Sequence, residues 1–450
     1  MAKKIIALVI CIMMVATLAV GCGTKTEETA APASSAAATT PESTPESTEA
    51  AEPEAAPAVS GEITFLSQQV NWLETFYPEM LKEFNAKYPG VKLTIDAIEG
   101  YEETLKIKMS SDDLPDAFVS YVNTPSAEQR QTFLLPLDDT LSAQKIDPAY
   151  QSFFKGADGK VYAMPYAKDI SGIVIYNKKI FKDLGISIPK TLDEFIAAGK
   201  KIKDAGYVAG LAMCSKDQWT MCQFDEANPR FFSGNPNIFN EGLDVSSDAP
   251  FTIDGPWGQT FKLIDTLAKS GMVNASPNSY GWEPFKADFQ AGKIGMFYMA
   301  SWFVGQAVPA DLVDKAGESV GVFAMPFDNS GKLYAKFSPM PGISIAKSTK
   351  NPDAARALVD FMCLDYNEKL TKGQTGFSTN PDINVTYDWS ADLAAESMAE
   401  LPKSPEVTNI WNNGAVDFSA KASAVAGGEM TPEEAIKAMN TSWAAGRAAK

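Results

Sequence analysis

The chain has 450 residues, which at roughly 100–200 residues per domain means two or three domains. Hydrophobic residues make up 45 % and aromatics 10 %, enough for a sizeable core. There is no histidine and the formal net charge is −17, which excludes His-based triads and HExxH zinc sites and argues against duplex nucleic acid, whose phosphates attract Lys/Arg stripes.

At the N-terminus Lys3 and Lys4 precede an apolar run, Ile5–Val20. The run is shorter than the ~20 residues a spanning helix needs and matches the apolar part of a secretory signal. It ends Leu18-Ala19-Val20-Gly21-Cys22. Small residues directly before a cysteine resemble the lipobox of bacterial lipoproteins. The Leu usual three places before the Cys is Ala19 here, with Leu18 one place further out. The resemblance implies removal of residues 1–21 as a signal peptide and lipid attachment at Cys22. The two acyl chains of a diacylglyceryl group are what stable anchoring needs. Residues 22–60 then form a Thr/Glu/Ala/Pro/Ser linker, with Pro-Glu-Ser-Thr repeated at 41–48 and no aromatic, Leu, Ile or Met. Such a stretch cannot bury enough surface to fold and is predicted to be a disordered tether. Its random-coil span is about 35 Å. No later segment has the run of about 18 apolar residues that would predict a transmembrane helix.

Beyond residue 60, strands and helices alternate. Ile63–Leu66 reads as a strand, followed by a helix opening near Pro78 with Met80, Leu81, Phe84 and Tyr88 on one face. Val91, Leu93, Ile95 and Ala97 alternate with polar residues, a second strand. Residues 101–111 read as a helix and Ala117–Val122 as a third strand. This βαβαβ order implies an α/β protein with a parallel-type sheet and helices on both faces. Val161–Ala163 and Ile173–Tyr176 are further strands. Thr191-Leu-Asp-Glu194 matches a capping box and opens a helix carrying Phe195, Ile196 and Ile202. Asn351-Pro352 opens another with Ala355, Leu358, Val359 and Met362 inward. Thr431-Pro-Glu-Glu434 opens the last, with Ala435, Ile436, Met439 and Trp443 inward. Trp443 and Cys363 fall on these seams and read as core.

The blocks Gly61-Glu-Ile-Thr-Phe65, Glu83-Phe84 with Tyr88-Pro-Gly-Val91, Leu114-Pro-Asp-Ala117, Gly159-Lys-Val-Tyr-Ala-Met-Pro165, Ile175-Tyr-Asn-Lys-Lys179, Phe289-Gln-Ala-Gly-Lys-Ile-Gly-Met296 and Lys350-Asn-Pro-Asp-Ala-Ala-Arg356 follow one another in order. Over residues 61–450 they resemble the extracellular solute-binding proteins of ATP-binding-cassette importers, in the large family that includes maltose-binding proteins. Two positions depart from the family pattern: Asp113-Leu114 stands where Gly-Asp is usual, and Leu192 where Trp is frequent. The resemblance implies a two-lobe fold with an interlobe ligand cleft and a hinge of crossing strands, placed near Met164–Asp169 and Phe337–Pro341. Lobe one is then 61–166 plus 340–380, and lobe two 169–337 plus 385–450. It further implies a monomeric receptor on the outer face of the bacterial cytoplasmic membrane, whose partners are a small-molecule sugar and permease subunits, with no cofactor, no metal and no catalytic residue.

Sugars offer hydroxyls and an apolar ring face, so a site for them needs carboxylates, amides and aromatic plates. Gln68, Trp72, Tyr121 and Asn123 follow strand ends on lobe one and can reach the cleft. Asp169 follows the first crossover, where an acidic residue contacts sugar in the maltose-binding branch. Trp302 follows a strand where the family often places a stacking Trp, and Trp411 lies in a region similar to that branch. Tyr176 sits in the Ile-Tyr-Asn-Lys block and reads equally as core or contact. Trp282 and Arg230 are weaker candidates. Cys214 and Cys222 read as two structural thiols, with a disulfide as the alternative.

Other classes remain open at this point. Polyamines or other cations would also suit acidic and aromatic walls. A sensory or adhesive lipoprotein would need no importer, and a glycosidase would need two carboxylates at a defined separation, which no motif singles out. Ser-x-x-Lys occurs at Ser142, Ser152 and Ser344 among other places, about as often as chance predicts, and no Ser-Asp-Asn accompanies it.

Overall fold

The structure, a computed structural model, describes residues 59–399 and 401–449. The expected signal segment, Cys22 and nearly all of the linker lie outside these residues. Within them the strands are β1 (Ser60–Ser67), β2 (Gly90–Ala97), β3 (Ala117–Ser120), β4 (Met164–Pro165), β5 (Ala167–Ser171), β6 (Ile173–Asn177), β7 (Ala209–Ala212), β8 (Ile294–Met299), β9 (Val320–Ala324), β10 (Tyr334–Pro339), β11 (Gly342–Ile345), β12 (Phe377–Ser378) and β13 (Glu396–Ala399).

Three sheets result. The first has the order β2-β1-β3-β11-β4. β1 runs parallel to β2 and β3, with helices Phe76–Lys87 and Tyr101–Ser110 as the crossovers between them. The alternation of β2 shows why it forms: Val91 and Leu93 are buried, whereas Lys92 and Thr94 face solvent. Helix Phe76–Lys87 covers the sheet with Tyr77, Met80 and Phe84, all buried. The sheet is mixed rather than purely parallel, because β11 is antiparallel to both β3 and β4. β4 carries the chain out to the second lobe, and β11 receives it on its return. The expected strand at Val161–Ala163 is displaced to β4. The Val161 carbonyl accepts from Leu137 N and the Tyr162 amide donates to Phe154 O, so their backbone groups are taken by flanking loops.

The second sheet has the order β7-β8-β6-β9. β7 is parallel to β8, and β6 is antiparallel to both of its neighbours. Helices Leu192–Asp204 and Pro256–Lys269 and the last helix, Pro432–Ala448, pack in this lobe, with Phe195, Phe261 and Trp443 fully buried. Thr431 and Glu434 close a full capping box. At Thr191 the box is half formed: Thr191 Oγ1 accepts from Glu194 N, but the Glu194 carboxylate accepts from Lys190 N, one residue early.

The third sheet, β12-β5-β10-β13, lies between the two cores. β5 follows directly on β4, and β10 leads into β11. They pair antiparallel, with Phe337 opposite Ile170, Ser338 opposite Asp169 and Pro339 opposite Lys168. The turn from β5 into β6 needs glycine: Gly172 has φ +78°, and a Cβ there would lie 3.2 Å from the Ala227 Cβ. One apolar core gathers residues from Ile63–Ala167 with Met340–Leu370, including fully buried Cys363; Phe153, Phe154 and Ala163 form a small cluster of their own, and the remaining apolar clusters fall between Ile170 and Trp443. No helix among the described residues is long and apolar enough to cross a membrane.

Candidate functional site

Strand direction determines which loops meet. In the first sheet the carboxyl ends of β1, β3 and β4 share one edge, the edge from which β4 leaves for the second lobe. In the second sheet β6 enters from the hinge, so the carboxyl ends of its antiparallel neighbours β8 and β9, and of β7, return to the hinge side. Ligands in open α/β sheets bind outside such strand ends. The site is therefore built from the loops after β1, β3, β7 and β8 and from the crossing strands.

On lobe one, Ser67 Oγ accepts from Tyr77 Oη at 2.6 Å and from Gln69 N at 3.1 Å, which pins the end of β1. Gln68 follows, half-buried, with its Oε1 buried and without a hydrogen-bond partner among the described residues. Trp72 is 8 % exposed, its ring 4.3 Å from Phe76 and edge-on to Tyr77. It is a core plank, whereas Val70, Asn71 and Leu73 around it are exposed. The expected role of Trp72 as a ligand plate thus meets a physical objection: its ring is already covered. After β3, Tyr121 and Thr124 bond each other's backbone both ways, with Asn123 exposed at the tip. Tyr121 is half-buried and edge-on to Tyr101, and burial pushes its hydroxyl up to about 12. The loop is clamped from below by buried Arg130, whose guanidinium donates to the carbonyls of Val122, Pro125, Phe153 and Lys155.

On lobe two, Ser301 Oγ accepts from Ile170 N at 3.1 Å, and Ser301 O accepts from Thr375 Oγ1 at 3.0 Å. Thr375 is buried and has φ +49°, a conformation a β-branched residue rarely adopts. This fastening fixes Trp302, which is half-buried and packs against both the lobe-one core and the β8 side of lobe two. Around it stand two more indoles. Trp282 lies 5.8 Å away and Trp219 6.1 Å, with 4.8 Å between those two. Trp219 is 45 % exposed, on the loop after β7. Asp217 Oδ2 accepts from Trp282 N at 2.6 Å and so ties the loops together. Asp169 lies half-buried on β5, one residue before Ile170, whose amide Ser301 holds. Trp219 escaped sequence reading; the available signal was an aromatic seven residues past the end of a short buried strand.

Two expected contacts lie elsewhere. Tyr176 is at the far end of β6 from the hinge, opposite Met296 and Gly321. It is 5 % exposed, packs on Phe181 and Phe323, and donates to Asp392 Oδ2 at 2.6 Å. It is a core residue, because the strand alternation turns its ring into the helical layer. Trp411 belongs to a separate aromatic group with Phe239 and Phe251, under the Lys403 ammonium. Arg230, the weaker candidate, is buried and lies over the Phe239 ring. Cys214 and Cys222 are not joined in a disulfide. A groove of about 590 Å³ on lobe two, between Phe251 and the last helix, shares no residue with the strand-end loops.

A family model described as bacterial extracellular solute-binding protein matches residues 69–364. The chain belongs to that family. As a solute-binding protein it is similar to the multiple sugar-binding protein of Streptococcus mutans, 23 % identical over 63 % of this chain and 67 % of that one. It is also similar to the alpha-glucosides-binding periplasmic protein of Rhizobium meliloti, 26 % identical over 69 % and 70 %. Among solved structures, a mannobiose-bound binding protein of an ABC transporter from Bifidobacterium animalis subsp. lactis superposes with TM-score 0.71 at 21 % identity, covering 87 % of this chain and 96 % of that one. The apo form of RafE from Streptococcus pneumoniae gives 0.70 at 20 %, covering 87 % and 99 %. The two-lobe architecture of this solute-binding protein is thus that of its structural relatives.

Proposed function

We propose that this protein captures a mono- or oligosaccharide between its lobes and delivers it to an ATP-binding-cassette permease, as a lipid-anchored receptor rather than an enzyme. The observation that carries the proposal is the group of three indoles, Trp219, Trp282 and Trp302, at the hinge-side strand ends. Sugars present apolar ring faces to such plates, and Asp169, Gln68, Tyr121 and Asn123 supply polar groups for hydroxyls. The relatives named for sugars, alpha-glucosides and mannobiose support the same class. A solute touching both lobes favours the closed state only by its differential affinity for closed over open. Cys22 would hold the receptor at the outer face of the membrane, with the linker as its tether.

The test is isothermal titration of the mature protein with mannobiose, raffinose and maltotriose, with spermidine as the cationic control. Saturable binding of one sugar supports the reading; binding of spermidine alone discards the sugar. For the anchor, Cys22→Ser should move the protein from the membrane fraction to the soluble one, and retention on the membrane would refute lipid attachment there.

A further inference from the structure

We infer that Ser338, on the strand returning from lobe two to lobe one, is a ligand-binding residue whose hydroxyl is kept unbonded for the solute. This rests on the reading of the strand-end loops as the solute site. Ser338 stands directly opposite Asp169 in the antiparallel β5–β10 pair. Opposed residues in such a pair project to the same face, and the next pair on that face is Ser171 with Lys336. The other face is packed: Ile170 joins the apolar core, and the Lys168 ammonium lies over the rings of Tyr150 and Phe337. The interlobe ribbon therefore has one face with apolar and aromatic contacts and one wholly polar face, on which Ser171 and Lys336 are buried and Asp169 and Ser338 half-buried.

On the polar face Asp169, Ser171 and Lys336 are all engaged with partners. Ser338 differs: its Oγ is buried and has no hydrogen-bond partner among the described residues. A buried, unbonded hydroxyl is destabilising, and alanine would fill nearly the same space without that penalty. A hydroxyl both donates and accepts, and a carboxylate accepts. Ser338 beside Asp169 therefore matches two neighbouring hydroxyls of one solute, one donating to Asp169 and the other exchanging a hydrogen bond with Ser338 Oγ. The buried Gln68 Oε1 at the lobe-one edge, also without a partner among the described residues, is a second acceptor of the same kind. Together they describe a polyhydroxylated solute that reaches from the end of β1 to the hinge.

The experiment compares Ser338→Ala with Ser344→Ala in the mature protein. Ser344 is the control, a buried serine whose Oγ donates to Tyr162 O at 2.8 Å and lies 2.6 Å from Ser120 Oγ. Ser338→Ala should raise the unliganded unfolding midpoint by about 1–2 °C and weaken the sugar that binds, of mannobiose, raffinose and maltotriose, by about five- to tenfold. Ser344→Ala should lower the midpoint. A lowered midpoint for Ser338→Ala, or an affinity within twofold of the parent, overturns the inference. If the parent binds none of the three sugars, the carbohydrate reading falls. The unliganded midpoint then decides for Ser338: a rise supports a hydroxyl retained for something other than stability, and a fall refutes it.

Discussion

Replacing Trp219 by alanine separates a ligand plate from a structural ring. The side chain is 45 % exposed. A tryptophan of up to about 250 Å² then leaves about 110 Å² open. A sugar ring covering half of that removes about 55 Å² of apolar surface from water, worth about 1.4 kcal/mol at ~25 cal/mol per Å², or about tenfold in affinity. The change also removes the ring contact with Trp282 at 4.8 Å, worth about 0.5–1.5 kcal/mol to the fold. The protein should remain folded, because Trp282 keeps its own contacts with Phe285 and Phe303. The assay is calorimetric titration of Trp219→Ala and Trp219→Phe against the sugar that binds the parent. Alanine should lose about tenfold, and phenylalanine, which keeps a plate, should lose less. An alanine variant within twofold of the parent, with its unfolding transition intact, would remove Trp219 from the site and refute the stacking argument.

Trp302→Ala should weaken binding by more than about 1 kcal/mol, measured by the same titration, because Trp302 meets both lobes and the ligand loses an aromatic contact. Tyr176→Phe should do the opposite: it deletes the bond to Asp392 and should lower stability in urea by about 1.5–3 kcal/mol while leaving sugar affinity unchanged. Burial pushes the Cys214 thiol up to about 12, above its unfolded value, so its contribution to stability is complete below about pH 9 and is lost as pH rises through about 12. Cys214→Ala should therefore flatten part of the fall in unfolding free energy between pH 8 and pH 11; an unchanged slope would refute the assignment. Thr431→Ala should destabilise the last helix by about 1 kcal/mol in chemical denaturation, since it opens a complete capping box.

Local physics made much of the fold legible. The period-two burial of β2, the inward seams of the helices and the cap at Thr431 are set within a few residues of each other, so their signals survive in one dimension. The expectation of crossing strands near Met164–Asp169 and Phe337–Pro341 came from a resemblance carried by contiguous motifs. The mixed direction of both large sheets was not, because β11 joins β3 across more than two hundred residues and no local pattern encodes that pairing. The site divided in the same way.

Composition and residue order alone determined the class of chain: no histidine chemistry, an acidic α/β body, and aromatics placed after strands. Only the tertiary structure decided which aromatics are available. Trp72, Tyr176 and Trp411 are committed to cores or to other rings, while Trp219 stands open beside Trp282 and Trp302. An aromatic side chain gains nearly the same free energy from a core as from a ligand. Its identity therefore says nothing about which surface will cover it, and that is settled by strand registers and loop ends that lie far apart in sequence.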